Sequence, residues 1–510
     1  MIRQETAARQ RTFPQFSQRR SPDSPTGLGR APRGVNRVEL KVGRGLRYAA
    51  ATVQEALQRP TVTSIVLSPG IHRAETLRLT RSVAIRGEPG AVLAANIQVL
   101  SGHATFIDLR WSGRLELGAA TSAAILRTTF TAGRAPAGRR TPGEDEVAGG
   151  DVSSLPPAIW LGHGAHLTVQ HCQLAAADAT LLHLTGQAYA EVSDSRFWVG
   201  AASGPVAQAE DSSLLALSTC QVGDGEPLGL GAPSALLSTV AGAQLTARAC
   251  TFASARRGLS ARGASRVTLA ECSATAHTPG GPGGPWLDVG DHAVVAVAGG
   301  RYEVAAGAAA VSGWGRLSLE RLTVAGRGGV GLATQGSGVL DASHIRLSGF
   351  DAPMVGAGGQ LRVADGCVAG GQSALRLVSG SGTEAVVERC LFTDSGGPAI
   401  QVEDTTRCTL QDSTVRGSRG VGVAVLGGAQ AALLACVLED NVGPAVDAAP
   451  GSRGRVSRTV VRSPGQSAMA IHPGSSMVLE ANVVSGPAPS AASAPGASAT
   501  PPPGQRHSGR

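Results

Sequence analysis

Lysine is almost missing from this chain. Lys41 is the only one in 510 residues, and arginine supplies the rest of the positive charge. A Schiff-base or lysine-base mechanism in the body of the chain is thereby excluded. Aromatic residues are scarce at 3% and charged residues at 16%. Helical bundles and coiled coils draw heavily on Glu, Lys, Leu and Arg, so this composition argues against both. No stretch approaches the roughly 18 apolar residues of a membrane helix, and MIRQETAARQRTFPQF lacks the apolar run of a signal peptide. The expected compartment is the cytoplasm, with no membrane partner. Eight cysteines without a CxxC suggest neither a zinc ribbon nor a disulfide framework.

What is abundant is glycine, 69 residues, within a chain that is 42% hydrophobic. That is enough apolar material for a large core, and the small residues favour short strands separated by tight turns. The formal charge of +8 is not spread evenly. Residues 1–47 hold eleven basic side chains against three acids, which accounts for all of it. Residues 1–36 read as a disordered basic arm, and nucleic acid is expected as a partner only through that arm.

Self-similarity organises the rest. One pattern recurs: apolar, any, apolar, any, any, small, any, apolar. It reads LTVQHCQL from Leu167, LTARACTF from Leu245, AVVERCLF from Ala385 and MVLEANVV from Met477. Its small slot falls at Cys390, Ser413, Cys436, Thr459 and Asn482, a constant 23 residues apart. A half-repeat precedes each copy, as in PAIQV at Pro398 and MAIHP at Met469. A β-rich period in the low twenties means coils stacked along an axis, about 4.8 Å apart. About 16 coils of about 23 residues then form a rod roughly 70–75 Å long.

Like slots stack into columns. Cys172, Cys220, Cys250, Cys272, Cys390 and Cys436 share the small slot, where a thiol acts as a small hydrophobe. Phe130, Phe197, Phe252 and Phe392 share a core slot two residues later. Ahead of the coils, AAATVQEALQRP from Ala49 reads as a short helix with Val53, Ala56 and Leu57 on one face, stopped at Pro60. The organisation expected is a basic arm at 1–36, a cap and first coils at 37–103, and coils at 104–486. A flexible insert at 133–157 interrupts the coils, and a disordered Pro/Ala/Ser tail occupies 487–510.

The opening TVQEALQ, SIVLSPGIHR and LRLTRSVAIRGEPG, with the coils that follow, resembles the right-handed parallel β-helix superfamily. The likeness extends to its pectin-lyase-like repeats of carbohydrate-binding and sugar-hydrolase type, over roughly Val38 to Gly486. It implies an all-β, right-handed parallel β-helix with a short N-terminal capping helix. The same fold carries lyases, hydrolases, epimerases and non-catalytic scaffolds. Polygalacturonase-like members carry a Gly-His-Gly, matched by Gly162-His163-Gly164, but their paired aspartates and Arg-Ile-Lys have no counterpart. Pectate-lyase-like members hold calcium with clustered acids. Here Glu191, Asp194, Glu210, Asp211, Glu271, Glu403 and Asp404 are scattered, and Glu144-Asp145-Glu146 lies in the insert. No metal or cofactor, calcium included, is expected.

One column stands out. The residue before the small slot in five consecutive coils is Arg321, His344, Asp365, Arg389 and Asp412, flanked by Asp341, Arg362 and Glu388. Two readings apply: a solvated ion-pair ladder, or a ligand groove in which Asp, His and Arg do acid/base or carboxylate-binding work. Trp160, Trp198, Trp286, Trp314 and Tyr302 are the aromatics left that could stand exposed beside loops, and their scarcity counts against a polysaccharide ligand without eliminating it. The functional expectation is a non-catalytic scaffold binding a partner protein or glycan along its side. The alternative is a polysaccharide lyase or glycoside hydrolase. The oligomeric state is left open.

Overall fold

The computed structural model describes residues 38–485, apart from 44–48, 133–155, 178, 200–204, 224–234, 254–257, 276–284, 305–306, 379–381 and 463–467. The basic arm, nearly all of the insert and the tail lie outside the described residues. Among the described residues, fifty strands form one continuous parallel ladder wound into coils. One coil illustrates all of them. A three-residue strand, Ile400–Val402, leads through a turn to a five-residue strand, Arg407–Gln411. A bend at Asp412 and Ser413 then leads to a second three-residue strand, Thr414–Arg416. Each strand pairs in parallel with its equivalent 23 residues later, at Val423–Val425, Gln430–Leu434 and Val437–Glu439. The sequence pattern required at least two strands per period, and the structure has three. Sixteen such coils run from His103 to Ser485, and Val38–Val42, Val62–Leu67 and Val83–Gly87 extend the stack toward the N-terminus.

Alternation along each strand decides what is inside. In Arg316–Glu320 the leucines at 317 and 319 are buried, while Arg316, Ser318 and Glu320 face outward. Burying a Leu or Val side chain contributes about 1.5–3 kcal/mol, and the repeat supplies several per coil. Phe130, Phe197, Phe252 and Phe392 are all buried in the core, as the repeat implied. Two aromatic clusters fill wider parts of the core: Trp111 packs between Phe106 and Phe130, and Trp286 between Phe252 and Tyr302. Trp286 and Tyr302 are therefore core residues. The expectation of exposure fails for both: Tyr302 occupies the core slot of Phe252 and Ala274, and Trp286 packs inward over Gly258, where a Cβ would stand 2.0 Å from its ring.

At the N-terminus the first strand is β1 (Val38–Val42), followed by helix α1 (Val53–Gln58). Thr52 caps the helix by accepting the Glu55 N–H at 3.1 Å, and Glu55 accepts the Ala51 N–H in return. Val53 and Ala56 are buried in the core.

The small slot turns out to need more than small volume. Each bend takes the slot's N–H out of the strand ladder, and a buried donor must find a partner. Where the next coil's slot carries Cys, Ser, Thr or Asn, its side chain can supply it, whereas Gly300, Leu322, Ile345 and Gly366 hold the slot without an acceptor. The Cys390 N–H donates to Ser413 Oγ at 3.0 Å, Cys172 N–H to Ser195 Oγ at 3.0 Å, and Thr459 N–H to Asn482 Oδ1 at 2.9 Å. The slot hydroxyls in turn donate to the carbonyl two residues back, as Ser413 does to Gln411 at 2.7 Å. Cysteine, serine, threonine and asparagine recur because each combines small size with an acceptor.

Candidate functional site

The column chosen from sequence forms the corner of the helix. Arg321, His344, Asp365, Arg389 and Asp412 all adopt the left-handed conformation, with φ between 48° and 55°. Asp108, Arg127, His171, Asp194 and Arg458 hold the equivalent position in other coils. Left-handed backbone costs a non-glycine residue roughly 1–2 kcal/mol, so each corner needs support from its neighbours.

The corner N–H provides that support by donating to a carbonyl of the next coil, as Asp365 does to Glu388 and Ala435 to Ser457, and in some coils side chains add to it. Arg389 clasps Asp365 through two parallel bonds, Nε to Oδ1 at 2.7 Å and Nη2 to Oδ2 at 2.9 Å, and its Nη1 reaches Glu388 at 3.2 Å. The Arg389 hydrogen bonds hold the Asp365 carboxyl below the usual carboxylate range, with further help from the charges of Arg389 and His344. Arg321 pairs with Glu320 at 2.8 Å, Gln411 donates to Asp412 at 3.0 Å, and Arg362 donates to Gln360 at 3.3 Å. Asp341 and Arg362 stand side by side in register on adjacent five-residue strands. The structure thus brings all eight predicted residues to one wall and its corner. Among the eight, Arg389 forms ion pairs with Asp365 and Glu388, and the clasped Asp365 stays ionised.

A different arrangement occupies the wall of three-residue strands. Trp160 sits in register between Glu116 and His183. His183 Nε2 lies 3.4 Å from Glu210 Oε2, and Gln208 Nε2 donates to the other Glu210 oxygen. Trp160 and His183 are half-buried, with ring surface still open to solvent. Gly162 seats the indole, since a Cβ there would stand only 3.0 Å from the ring. The Gly-His-Gly thus has a packing role here, and its His163 is exposed at the turn. Sequence reasoning kept Trp160, counted Glu210 only among scattered acids, and missed His183. The signal lay in the half-repeats, where Trp160, His183 and Gln208 fill the same outward slot of IWL, LHL and AQA.

His166 and His171 do not converge: His166 lies on a five-residue strand stacked 4.9 Å from Tyr189, whereas His171 occupies a corner. Burial pushes the His166 imidazole down, which favours its neutral form. Further along, a cleft of about 360 Å³ opens among the corners after the second three-residue strands, lined by Asp351, Gln372, Asp394 and Arg419 with glycine backbone between them. Among the described residues, no group of three or more His, Cys, Asp or Glu could hold a metal ion. No helix there is long and apolar enough to cross a membrane.

The family described as right handed beta helix region matches residues 365–499. No curated protein matches the chain. Among solved structures, the chain is similar to the A-module of a mannuronan C-5 epimerase from Azotobacter vinelandii, at 11% identity and a TM-score of 0.20. That alignment covers 85% of this chain and 93% of the other. It is similar to an alginate lyase of the PL6 family at 8% identity, covering 88% and 100%, with a TM-score of 0.27. A cryo-EM structure of the Vag8–C1 inhibitor complex aligns at 14% identity over 88% and 95%, with a TM-score of 0.32. None of these likenesses carries an argument about activity or ligand.

Proposed function

We propose that this chain, a right-handed parallel β-helix, works as a non-catalytic binding scaffold that takes a partner protein or glycan along its side. The observation that carries the reading is the Asp365–Arg389 clasp. A carboxylate held ionised by a bidentate arginine is a poor proton donor and a weak base, so the charged wall serves cohesion rather than proton transfer. Contact with the partner falls to the wall bearing Trp160, where an open indole lies beside His183, with the amide and carboxylate of Gln208 and Glu210 one coil beyond. Aromatic faces flanked by such acceptors suit sugar rings and polar peptide segments alike. The cytoplasm remains the proposed setting, supported by eight free cysteines, seven of them buried.

Isothermal titration against a panel of neutral and uronic-acid polysaccharides, with pull-down for protein partners, tests the scaffold. Binding without product release, weakened at least tenfold in Trp160→Ala, is the expected result. A second reading rests on His183, beside the indole, whose buried Nε2 lies 3.4 Å from Glu210 Oε2 with no hydrogen bond formed. In that case the chain is a polysaccharide lyase or glycoside hydrolase. Turnover of any polymer in the panel, abolished by His183→Ala, would establish it and sink the scaffold.

A further inference from the structure

The two ends of the helix are finished differently. At the N-terminal end the apolar side chains of the first strand are covered, with Leu40 at 5% and Val42 at 0% exposure. At the other end the last coil is bare. Leu479 and Val484 occupy positions that face the core in every earlier coil, yet they are 49% and 44% exposed. Val478 and Val483 beside them are 50% and 62% exposed. Ser476–Glu480 and Val483–Ser485 each pair with one strand only, Arg453–Ser457 and Val460–Arg462, which leaves their outer edges open among the described residues. An open solenoid end with an unpaired edge is a template for strand addition.

The residues that follow Ser485 in this sequence are poorly suited to cover it. Residues 486–510 include six prolines, which lack the N–H a strand must donate, and no Val, Leu, Ile, Met or aromatic residue. The last five-residue strand, in contrast, complements itself. Placed antiparallel to its own copy about Val478, Ser-Met-Val-Leu-Glu sets Met477 against Leu479 on the core side. Outside, Val478 meets Val478 and Ser476 meets Glu480, so no like charges face each other. Glu480 is already neutralised by Arg455.

We propose that a second copy of this chain covers the C-terminal end, with Ser476–Glu480 pairing antiparallel across a two-fold axis at Val478. Val38–Val42 also pairs with one strand only, but among the described residues the apolar core is exposed at the C-terminal end alone, so association through it closes at a dimer instead of propagating into a filament. The cores of two solenoids become continuous through Leu479 and Val484.

Sedimentation of the full 510-residue chain over a concentration series tests this. The wild type is expected to be a dimer. Val478→Lys and Val478→Glu each bring like charges together on the axis and are expected to be monomeric, with unchanged circular dichroism. Their equimolar mixture is expected to restore the dimer. A monomeric wild type overturns the proposal. If removal of residues 486–510 then produces a dimer, the tail is the occupant instead. A dimer that persists in Val478→Lys places the interface elsewhere and also overturns it.

Discussion

Asp365 and Arg389 stand at the same corner of successive coils, both in the left-handed conformation, and are joined by two parallel hydrogen bonds. Asp108 and Arg127 repeat the arrangement near the other end, at 2.7 and 3.0 Å. An aspartate followed one coil later by an arginine is thus a corner clamp, used twice in one molecule. Its recurrence explains why chemistry-bearing residue types collect at this column.

The clamp should be worth little to global stability. Its partners' side chains remain 51% and 31% exposed, and exposed pairs contribute between 0 and about 1 kcal/mol. Because Arg389 lowers the Asp365 pKa, the contribution is present above about pH 4 and is lost as pH falls through the lowered value. Urea denaturation should place Asp365→Asn within about 1 kcal/mol of wild type at pH 7 and level with it at pH 2. A larger loss at pH 7 would mean the clamp is structurally critical.

The slot ladder makes a sharper claim. Serine-to-alanine at 413 keeps the small volume but removes the acceptor for the buried Cys390 N–H. If size alone governed the slot, Ser413→Ala would be neutral. The hydrogen bond predicts a loss of about 1–3 kcal/mol, with Ser413→Thr close to wild type. Denaturant midpoints of the two variants decide between these accounts.

The fold was legible because a 23-residue period of apolar alternation leaves stacked coils as the economical arrangement, and the slot from Cys390 to Asn482 set the register. The meaning of the slot was not legible. Size and hydrogen-bonding capacity select the same residues, and only the distance from Cys390 N to Ser413 Oγ separates them. The corner column was visible as charge, but its backbone conformation was not, since left-handed Arg389 and Asp365 look like ordinary polar residues in a sequence. Glu210 was read as one of several scattered acids and His183 was passed over, because the two lie 27 residues apart, a little over one coil. Trp286 and Tyr302 were misplaced because neighbouring loops of irregular length hid their register: Tyr302 stands in the slot of Phe252 and Ala274, and Trp286 stacks over Gly258.

The thiols give a test of compartment and core together. Burial pushes Cys390 up to about 11 and Cys408 up to about 12, so both stay protonated and inert at neutral pH. Cys367, half-buried, is the one expected to react first in the native protein. All eight should titrate in denaturant without reductant. Raised folded values stabilise fully below the unfolded thiol pKa, near 8.5, and that stability is lost as pH climbs toward the folded values. Melting temperature should therefore fall steadily above about pH 9. Rapid native labelling of six or more thiols would place the column outside, and fewer than eight after denaturation would indicate disulfides.

Tyr302 provides the last prediction. Its ring packs 5.1 Å from Trp286, and its side chain is buried with the hydroxyl lacking a protein partner. It borders an apolar cavity of about 20 Å³ lined by Trp286, Leu319, Val324 and Leu332. Burial raises its pKa, which keeps the phenol neutral. Removing a buried tyrosine hydroxyl ordinarily costs stability because a hydrogen bond goes with it. Here the hydroxyl carries a desolvation cost of about 1–3 kcal/mol with no bond to offset it. Tyr302→Phe should therefore be neutral or stabilising by up to about 1 kcal/mol, read from denaturant midpoints at unchanged m-value. A cavity of this size has room for about one water molecule. A loss of more than about 1 kcal/mol in Tyr302→Phe would show that the hydroxyl is satisfied through such a water, and that the site is a polar pocket inside the core.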